Sequence, residues 1–208
     1  GLFLPGGFSN GDEPDGSGKF ITAFLRNPMA SDALMRLIDK RDGLVIGVCN
    51  GFQALIKLGL VPYGRIVEPS AELPTLTFNT IGRHQSRLVR TRVTSDRSPW
   101  LMLAGADNIY SMPVSHGEGR FLCEPELLQS LAQSGQVAAQ YVDESGSPTM
   151  DVRFNPNGSL AAVEAITSPD GRILGKMGHS ERIGAGLYQN VPGDYDMRLF
   201  DSAVLYFS

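Results

Sequence analysis

Residues 44–48 form a short, almost entirely apolar run that leads directly into a glycine-flanked cysteine, Cys49. A run of this kind is typical of a central strand in a parallel sheet, where both faces are covered. Residues 52–58 follow with the pattern of a helix, and alternating strands and helices indicate an α/β fold. We therefore predict a doubly wound, mostly parallel sheet with helices on both faces. No linker divides the chain, so one domain over residues 1–208 is predicted.

The remaining pattern supplies further elements for this fold. Ser31 can cap a helix that runs to about Lys40, and Pro125 and Glu126 suit the first turn of another helix. A closing helix is predicted over residues 196–207. Strand-favouring stretches occur at residues 1–4, 76–93, 109–114, 137–142, 161–167 and 172–177. Loops or turns are predicted at residues 5–7, 9–18, 155–158 and 168–171.

The motif Gly47-x-Cys49-x-Gly51 carries the clearest chemical signal. It is the sulfur analogue of the nucleophile elbow of α/β-hydrolases, where small neighbours permit a strained strand-to-helix turn. The helix N-terminus is expected to lower the pKa of the Cys49 thiol, and the N–H of Asn50 can face an oxyanion. The Pro-Gly-Gly turn at residues 5–7 can offer a second oxyanion donor. A lone cysteine after an apolar strand is more often an inert core residue, but the flanking glycines favour the nucleophile.

A thiol nucleophile needs a base, and three histidines compete for that role: His84, His116 and His179. Imidazole suits proton transfer near neutral pH, and a carboxylate can orient its ring. His179 is followed two residues later by Glu181. His116 is followed in the same way by Glu118, whereas His84 lies among arginines. Spacing alone gives His179 only a slight preference over His116.

Charge and cysteine content argue against several function classes. The net charge of −4 and the pI near 5.4 give no electrostatic reason to expect nucleic acid or an anionic membrane as partner. No apolar run is long enough to span a bilayer. The two cysteines are too few for a disulfide framework and lack zinc-site spacing, which favours a reducing, cytoplasmic setting without a bound metal.

Four segments, taken together and in order, carry a family resemblance. They are residues 5–9 (Pro-Gly-Gly-Phe-Ser), 47–53 (Gly-Val-Cys-Asn-Gly-Phe-Gln), 116–121 (His-Gly-Glu-Gly-Arg-Phe) and 179–182 (His-Ser-Glu-Arg). Over essentially the whole chain, the sequence resembles the class I glutamine amidotransferase domain of phosphoribosylformylglycinamidine synthase, from purine biosynthesis. The resemblance implies a flavodoxin-like architecture and an enzyme that hydrolyses glutamine to glutamate and ammonia.

The resemblance implies a catalytic role for five residues. Cys49 matches the nucleophile, His179 the base and Glu181 the carboxylate that orients the base. The amides of Gly7 and Asn50 match the oxyanion hole by position. These assignments choose His179 over His116, which the residue pattern alone leaves open.

Five further residues are implied in support of the reaction. Gln53 matches a residue that helps hold substrate glutamine. Asn79 and Arg83 resemble part of the wall of the glutamine pocket. His116 and Glu118 belong to the family's own signature and are expected to support the site or its interface with the synthetase.

The resemblance also implies a partner. Ammonia would pass to a synthetase domain, on the same or an associated chain, that converts formylglycinamide ribonucleotide (FGAR) to the amidine (FGAM). ATP and magnesium are expected in that domain, and no cofactor in this one, because the chain has no Gly-x-x-x-x-Gly-Lys-Ser/Thr phosphate loop.

Two departures from the family pattern concern the start of the chain and one motif. The family normally begins some tens of residues earlier, so the chain is expected to be truncated at its N-terminus. His-Ser-Glu-Arg at residues 179–182 replaces the commoner His-Pro-Glu-Arg, as in synthetases that carry the glutaminase at their C-terminus.

Two alternative functions remain open from the sequence. One is a stand-alone cysteine hydrolase of the same fold, which would use the same triad without a partner; residues 116–121 argue against it. The other is a non-catalytic scaffold domain, against which the complete set of Cys49, His179 and Glu181 argues.

Overall fold

The computed structural model describes residues 1–7 and 16–208. The strands are β1 (Leu2–Leu4), β2 (Val45–Val48), β3 (Thr75–Phe78), β4 (Gln85–Val93), β5 (Ile109–His116), β6 (Glu118–Leu122), β7 (Val137–Tyr141), β8 (Val163–Thr167) and β9 (Ile173–Lys176). The helices are α1 (Lys19–Leu25), α2 (Pro28–Lys40), α3 (Asn50–Leu58), α4 (Leu60–Tyr63), α5 (Pro125–Gln133) and α6 (Leu199–Tyr206). The loop predicted over residues 9–18 falls mostly outside the described residues.

The main sheet has the strand order β1-β2-β9-β8-β7-β4-β5. The pairings among β1, β2 and β9 are parallel, whereas every pairing from β9 onward to β5 is antiparallel. The α/β class is confirmed, but the prediction of a mostly parallel sheet is wrong, because the sheet is mixed. Parallel neighbours need a crossover of about a dozen residues or more, and only residues 168–172 join β8 to β9. That short turn can make only a hairpin.

The strand-favouring run predicted over residues 76–93 is divided into β3 and β4. β3 pairs with β6 in a separate antiparallel ribbon. Sequence analysis does not predict β6, because alternation with glycine and charged residues hides its apolar face. It also does not predict α1, which lacks both a capping side chain and a first-turn acid.

Most other predicted elements are observed with shifted ends. Helix α2 begins at Pro28 and not near Ser31, because the side chain of Asn27 accepts a hydrogen bond from the backbone N–H of Met29 at 3.0 Å. An asparagine cap followed by proline is a helix-start signal that the sequence contained. The closing helix α6 is shorter than the predicted 196–207.

The parallel part of the sheet determines where chemistry can occur. β1, β2 and β9 run in the same direction, so their carboxyl ends lie at one edge. The Gly6-Gly7 turn follows β1, Cys49 follows β2, and His179 follows β9. The fold therefore gathers three segments that are far apart in sequence. Helix α3 packs against all three strands behind this edge.

Residues 1–7 and 16–208 lack two features. No helix there has both the length and the apolar character that a bilayer crossing requires. No group of three or more histidine, cysteine, aspartate and glutamate side chains in the same residues could hold a metal ion. Both cysteines are free.

Candidate active site

Cys49 occupies a strained turn between β2 and α3. Its φ of 53° and ψ of −108° lie in a region that residues other than glycine rarely adopt. A Cβ at Gly47 would lie 2.6 Å from the backbone carbon of Gly51, and a Cβ at Gly51 would collide with the Leu4 carbonyl oxygen. The two glycines therefore allow β1, β2 and α3 to meet at this point. The predicted elbow geometry is observed.

The Cys49 thiol is buried, with 7% of the residue exposed. Burial raises the pKa of the thiol, and the backbone N–H groups of Asn50 and Gly7 offset this only in part. The prediction that the elbow lowers this pKa is wrong, because desolvation outweighs the helix N-terminus. Sγ lies 3.7 Å from the carbonyl oxygen of Ser115. The resting residue is a thiol that needs a base.

His179 is buried and forms a hydrogen-bonded pair with the partly exposed Glu181. Nδ1–H of His179 donates to Oε1 of Glu181 at 2.6 Å, and His179 is 1% exposed. Burial acts to raise the pKa of the Glu181 carboxyl, but the hydrogen bond from His179 and the charge of Lys176 bring it below its usual value. With Nδ1 protonated, Nε2 is left as an acceptor. Nε2 has no hydrogen-bond partner within the described part of the chain.

Gly6 separates the His179 ring from Cys49. A Cβ added at Gly6 would lie 2.6 Å from Cε1 of His179 and 3.1 Å from Cβ of Cys49. Cε1 lies between the two ring nitrogens, so the His179 ring and the cysteine both approach this glycine. Glycine is required here because of the close approach, and sequence reasoning had assigned importance only to its neighbour Gly7.

His116 lies in the same cavity but has a different partner. Its Nδ1–H donates to Oδ1 of Asn79 at 3.1 Å, and Nδ2 of Asn79 donates to the carbonyl oxygens of His116 and Arg83. Burial is the main cause that lowers the pKa of His116 to about 4, and the charge of His84 adds to it. His116 is therefore neutral at physiological pH. Asn79 holds this neutral ring in place.

A cavity of about 140 Å³ joins these groups. Its lining includes four of the five predicted catalytic residues (Gly7, Cys49, Asn50 and His179), two of the predicted supporting residues (Gln53 and His116), and five others: Ser17, His84, Ser115, Gly117 and Arg182. Glu181 contacts His179 from outside this lining. Asn79 and Arg83 do not line the cavity, so their predicted contact with glutamine has no support from its geometry.

Gln53 and Glu118 shape one wall of the cavity. The side-chain amide of Gln53 donates to the backbone carbonyl of Glu118. The carboxylate of Glu118 accepts a hydrogen bond from the backbone N–H of Ser17 at 3.2 Å. Glu118 therefore holds the segment at Ser17 against the cavity. It does not hydrogen-bond to the His116 ring as the i+2 spacing had suggested, because Nδ1 of His116 pairs with Asn79 and Nε2 has no partner among the described residues.

Sequence reasoning missed two charged residues beside the site. Arg182 lines the cavity, and its charge lowers the pKa of Cys49 against the larger effect of burial. Its place in the His-Ser-Glu-Arg motif was the available signal. Lys176 is fully buried at the end of β9, and no local pattern marks it, because a lysine in an otherwise apolar strand reads as a strand end.

Comparisons with known proteins identify the family of this chain. The family model of CobB/CobQ-like glutamine amidotransferase domains matches residues 1–207. Phosphoribosylformylglycinamidine synthase subunit PurQ of Picrophilus torridus is 36% identical over 183 residues, 88% of this chain and 68% of that protein. Phosphoribosylformylglycinamidine synthase of Drosophila melanogaster is 34% identical over 201 residues, 95% of this chain and 15% of that protein.

A solved structure gives the same fold. A chain in the structure of PurLQS from Thermotoga maritima matches with a TM-score of 0.70 at 24% identity, covering all of this chain and 80% of that one. The family match over nearly the whole length and the identity above 30% to a PurQ subunit lead to one conclusion. The chain belongs to the CobB/CobQ-like glutamine amidotransferase family.

Proposed function

We propose that this chain is the glutaminase part of a phosphoribosylformylglycinamidine synthase, with Cys49, His179 and Glu181 as its catalytic triad. It hydrolyses glutamine to glutamate and ammonia for the ATP-dependent conversion of FGAR to FGAM in purine biosynthesis. The observation that carries the proposal is the arrangement at one sheet edge: a strained cysteine lines the same cavity as a histidine whose Nδ1 is hydrogen-bonded to a carboxylate. This is the nucleophile–base–orienting group arrangement of covalent catalysis.

The first half of the reaction forms a thioester. Nε2 of His179 takes the proton of the Cys49 thiol, and the sulfur attacks the side-chain amide carbon of glutamine. The oxyanion that develops accepts hydrogen bonds from the N–H groups of Gly7 and Asn50, both of which already point at Sγ. The protonated His179 gives its proton to the amide nitrogen, the carbon–nitrogen bond breaks, and ammonia leaves.

The second half restores the enzyme. His179 takes a proton from water, whose oxygen attacks the thioester carbon. The carbon–sulfur bond then breaks, glutamate leaves, and the proton on His179 returns to Cys49. Glu181 stays ionised throughout, since its lowered pKa favours the carboxylate, and it stabilises the imidazolium in each half.

Substrate selection is assigned to the cavity wall. Gln53 lies in the lining and is held by the backbone of Glu118, so its position for glutamine is fixed before binding. Among the described residues of the lining, Arg182 is the only arginine, lysine, aspartate or glutamate, and its charge suits the substrate carboxylate. Asn79 is proposed to act on substrate only through His116.

The partner is a synthetase that receives ammonia, binds ATP with magnesium and activates FGAR. The relatives described above are named as subunits or whole chains of that synthase. A synthetase on the same or an associated chain stays a prediction, and so does the cytoplasmic setting. A stand-alone hydrolase would need no such partner.

The direct test uses the full-length enzyme with its synthetase. A chloroketone analogue of glutamine should form one adduct, on Cys49, and glutamine should protect against it; peptide mapping by mass spectrometry reads the position. The matched control is C123S, because burial raises the pKa of the Cys123 thiol to about 11, which favours the less nucleophilic thiol form. C123S should be labelled like the wild type. An adduct on Cys123 with Cys49 unmodified would contradict the proposal.

A further inference from the structure

Lys176 and Glu164 form an ion pair that the proposed reaction does not use. Their side chains are 1% and 0% exposed, and Nζ of Lys176 lies 3.3 Å from Oε1 of Glu164. Glu164 lies on β8 and Lys176 on β9, which are hydrogen-bonded neighbours. Neither residue lines the cavity. A buried ion pair is weak evidence for stability, because the desolvation of both charges can exceed their attraction. The role of this ion pair must therefore be sought in the hydrogen bonds that its two side chains make.

The contacts of the pair converge on the two residues that flank His179. Nζ of Lys176 donates to the carbonyl oxygen of Gly178 at 2.7 Å and to Oγ of Ser180 at 2.9 Å. Oε1 of Glu164 accepts from the backbone N–H of Gly178 at 2.7 Å. The residues before and after the histidine are thus both tied to buried charges.

The same strand end also supports the nucleophile. The backbone carbonyl of Lys176 accepts the N–H of Cys49 at 2.8 Å. Lys176 therefore contacts the elbow through its backbone and the His179 loop through its side chain. Its charge also faces Glu181. The reaction slows when the reacting groups of such a site are displaced by about 1 Å. A rigid link between the Cys49 elbow and the His179 loop would therefore keep the reaction fast.

We propose that Lys176 and Glu164 are positioning residues that hold His179 at its working distance from Cys49, with the Ser180 hydroxyl as the second tether. This inference rests on the proposed glutaminase function. Ser180 takes part because its hydroxyl can accept from Lys176, which the proline of the commoner His-Pro-Glu-Arg motif could not do. The pair acts on the rate of the chemical step, whereas substrate binding depends on the cavity wall.

The test compares variants within the complete enzyme. The double variant E164Q/K176M removes both charges but keeps an amide oxygen to accept the Gly178 N–H. S180A leaves the ion pair intact and removes one tether. T91V is the matched control: the Thr91 hydroxyl is buried and lies 3.9 Å from Sδ of Met112, a sulfur that Lys176 also contacts, but it does not bond to the His179 loop.

Four quantities are measured for each variant: kcat and KM for glutamine, the rate with ammonium salt, and the unfolding temperature. For E164Q/K176M we expect kcat with glutamine to fall about tenfold or more at a nearly unchanged KM, with the ammonium rate retained. S180A should show the same pattern to a smaller degree. T91V should keep the wild-type kcat.

The results for the double variant and for S180A decide whether the inference holds. A folded double variant with the kcat of the wild type would overturn the inference at any unfolding temperature, since the pair would then have no part in positioning His179. If the double variant does not fold, S180A decides alone, and a wild-type kcat for S180A overturns the tether. Absence of glutamine-dependent activity in the wild-type enzyme would instead overturn the proposed function, so the two failures are distinguishable.

Discussion

Two buried histidines line the cavity, and we call their surroundings the His179 side and the His116 side. The two sides are alike in sequence and differ in structure. On one side, Nδ1 of His179 donates to the carboxylate of Glu181 at 2.6 Å. On the other, Nδ1 of His116 donates to the neutral amide of Asn79 at 3.1 Å. Both rings are buried, and both have a glutamate two residues on. Only Glu181 forms a hydrogen bond with the histidine that precedes it by two residues.

The difference teaches that the partner of a buried imidazole decides which reaction it can support. A base must carry a positive charge for part of the cycle, and a carboxylate within hydrogen-bonding distance stabilises that charge in a buried site. An amide cannot do so, and burial lowers the pKa of His116 to about 4. The His179 side therefore suits the proposed proton transfer, whereas the His116 side forms a fixed neutral wall.

The largest expected effect separates the two histidines directly. His179→Ala in the complete synthase should lower kcat with glutamine by about 10³-fold or more, because the base is removed. His116→Ala should lower it far less. Synthesis from ammonium salt should continue in both, which shows that the synthetase is intact. Equal losses for the two variants would mean that the comparison does not identify the base.

The next effect tests the carboxylates. Glu181→Gln should lower kcat with glutamine by about 10²-fold, because the imidazolium loses its counter-charge and the ring its tautomer restraint. Glu118→Gln is the matched control, since it makes the same chemical change two residues after the other histidine. It should affect mainly KM, through the segment at Ser17. Steady-state kinetics of both variants measure the difference, and a larger kcat loss for Glu118→Gln would reverse the assignment.

A smaller effect is expected from the spacing between base and nucleophile. Gly6→Ala places a methyl group 2.6 Å from Cε1 of His179, and the displaced ring should lower kcat by about tenfold to 10²-fold. Gly117→Ala is the control, because it lies in the same lining but a Cβ there meets no atom within 4 Å. The alkylation rate of Cys49 with iodoacetamide provides a second measurement. If Gly6→Ala matches Gly117→Ala in both, the close approach has no catalytic consequence.

The His179 side could be predicted from sequence because its signals are local. Gly47, Gly51 and the apolar run before them specify the elbow, and the strand before His179 specifies where that residue emerges. Once β1, β2 and β9 are parallel, their carboxyl ends must meet at one edge. The mixed character of the rest of the sheet was also within reach, since the turn at residues 168–171 is too short for a crossover.

The His116 side could not be predicted because its contacts are remote in the chain. Asn79 and His116 are 37 residues apart, and Ser17 and Glu118 are 101 residues apart. No local pattern encodes either pairing. The direction of the Cys49 pKa shift was wrong for a related reason: the helix N-terminus is visible in the sequence, whereas the depth of burial depends on the whole fold.

The last effect is on stability and not on rate, and it tests the neutral state of His116. Its folded pKa of about 4 lies below the usual value of about 6.5 for histidine, so the unfolded chain binds more protons between these values. The stabilising contribution is complete above about pH 6.5 and is lost as the pH falls towards 4, which amounts to about 3 kcal/mol. Urea unfolding across this range should show a steeper loss for the wild type than for His116→Gln.

His84→Gln provides a graded version of the same test, because it removes a nearby charge that is only the second cause of the shift. Its pH dependence should lie between those of the other two proteins and close to the wild type. If His116→Gln and the wild type give parallel curves, His116 titrates alike in the folded and unfolded chains. The electrostatic distinction between the two sides of the cavity would then be lost, and Asn79 would be no more than a packing partner of the ring.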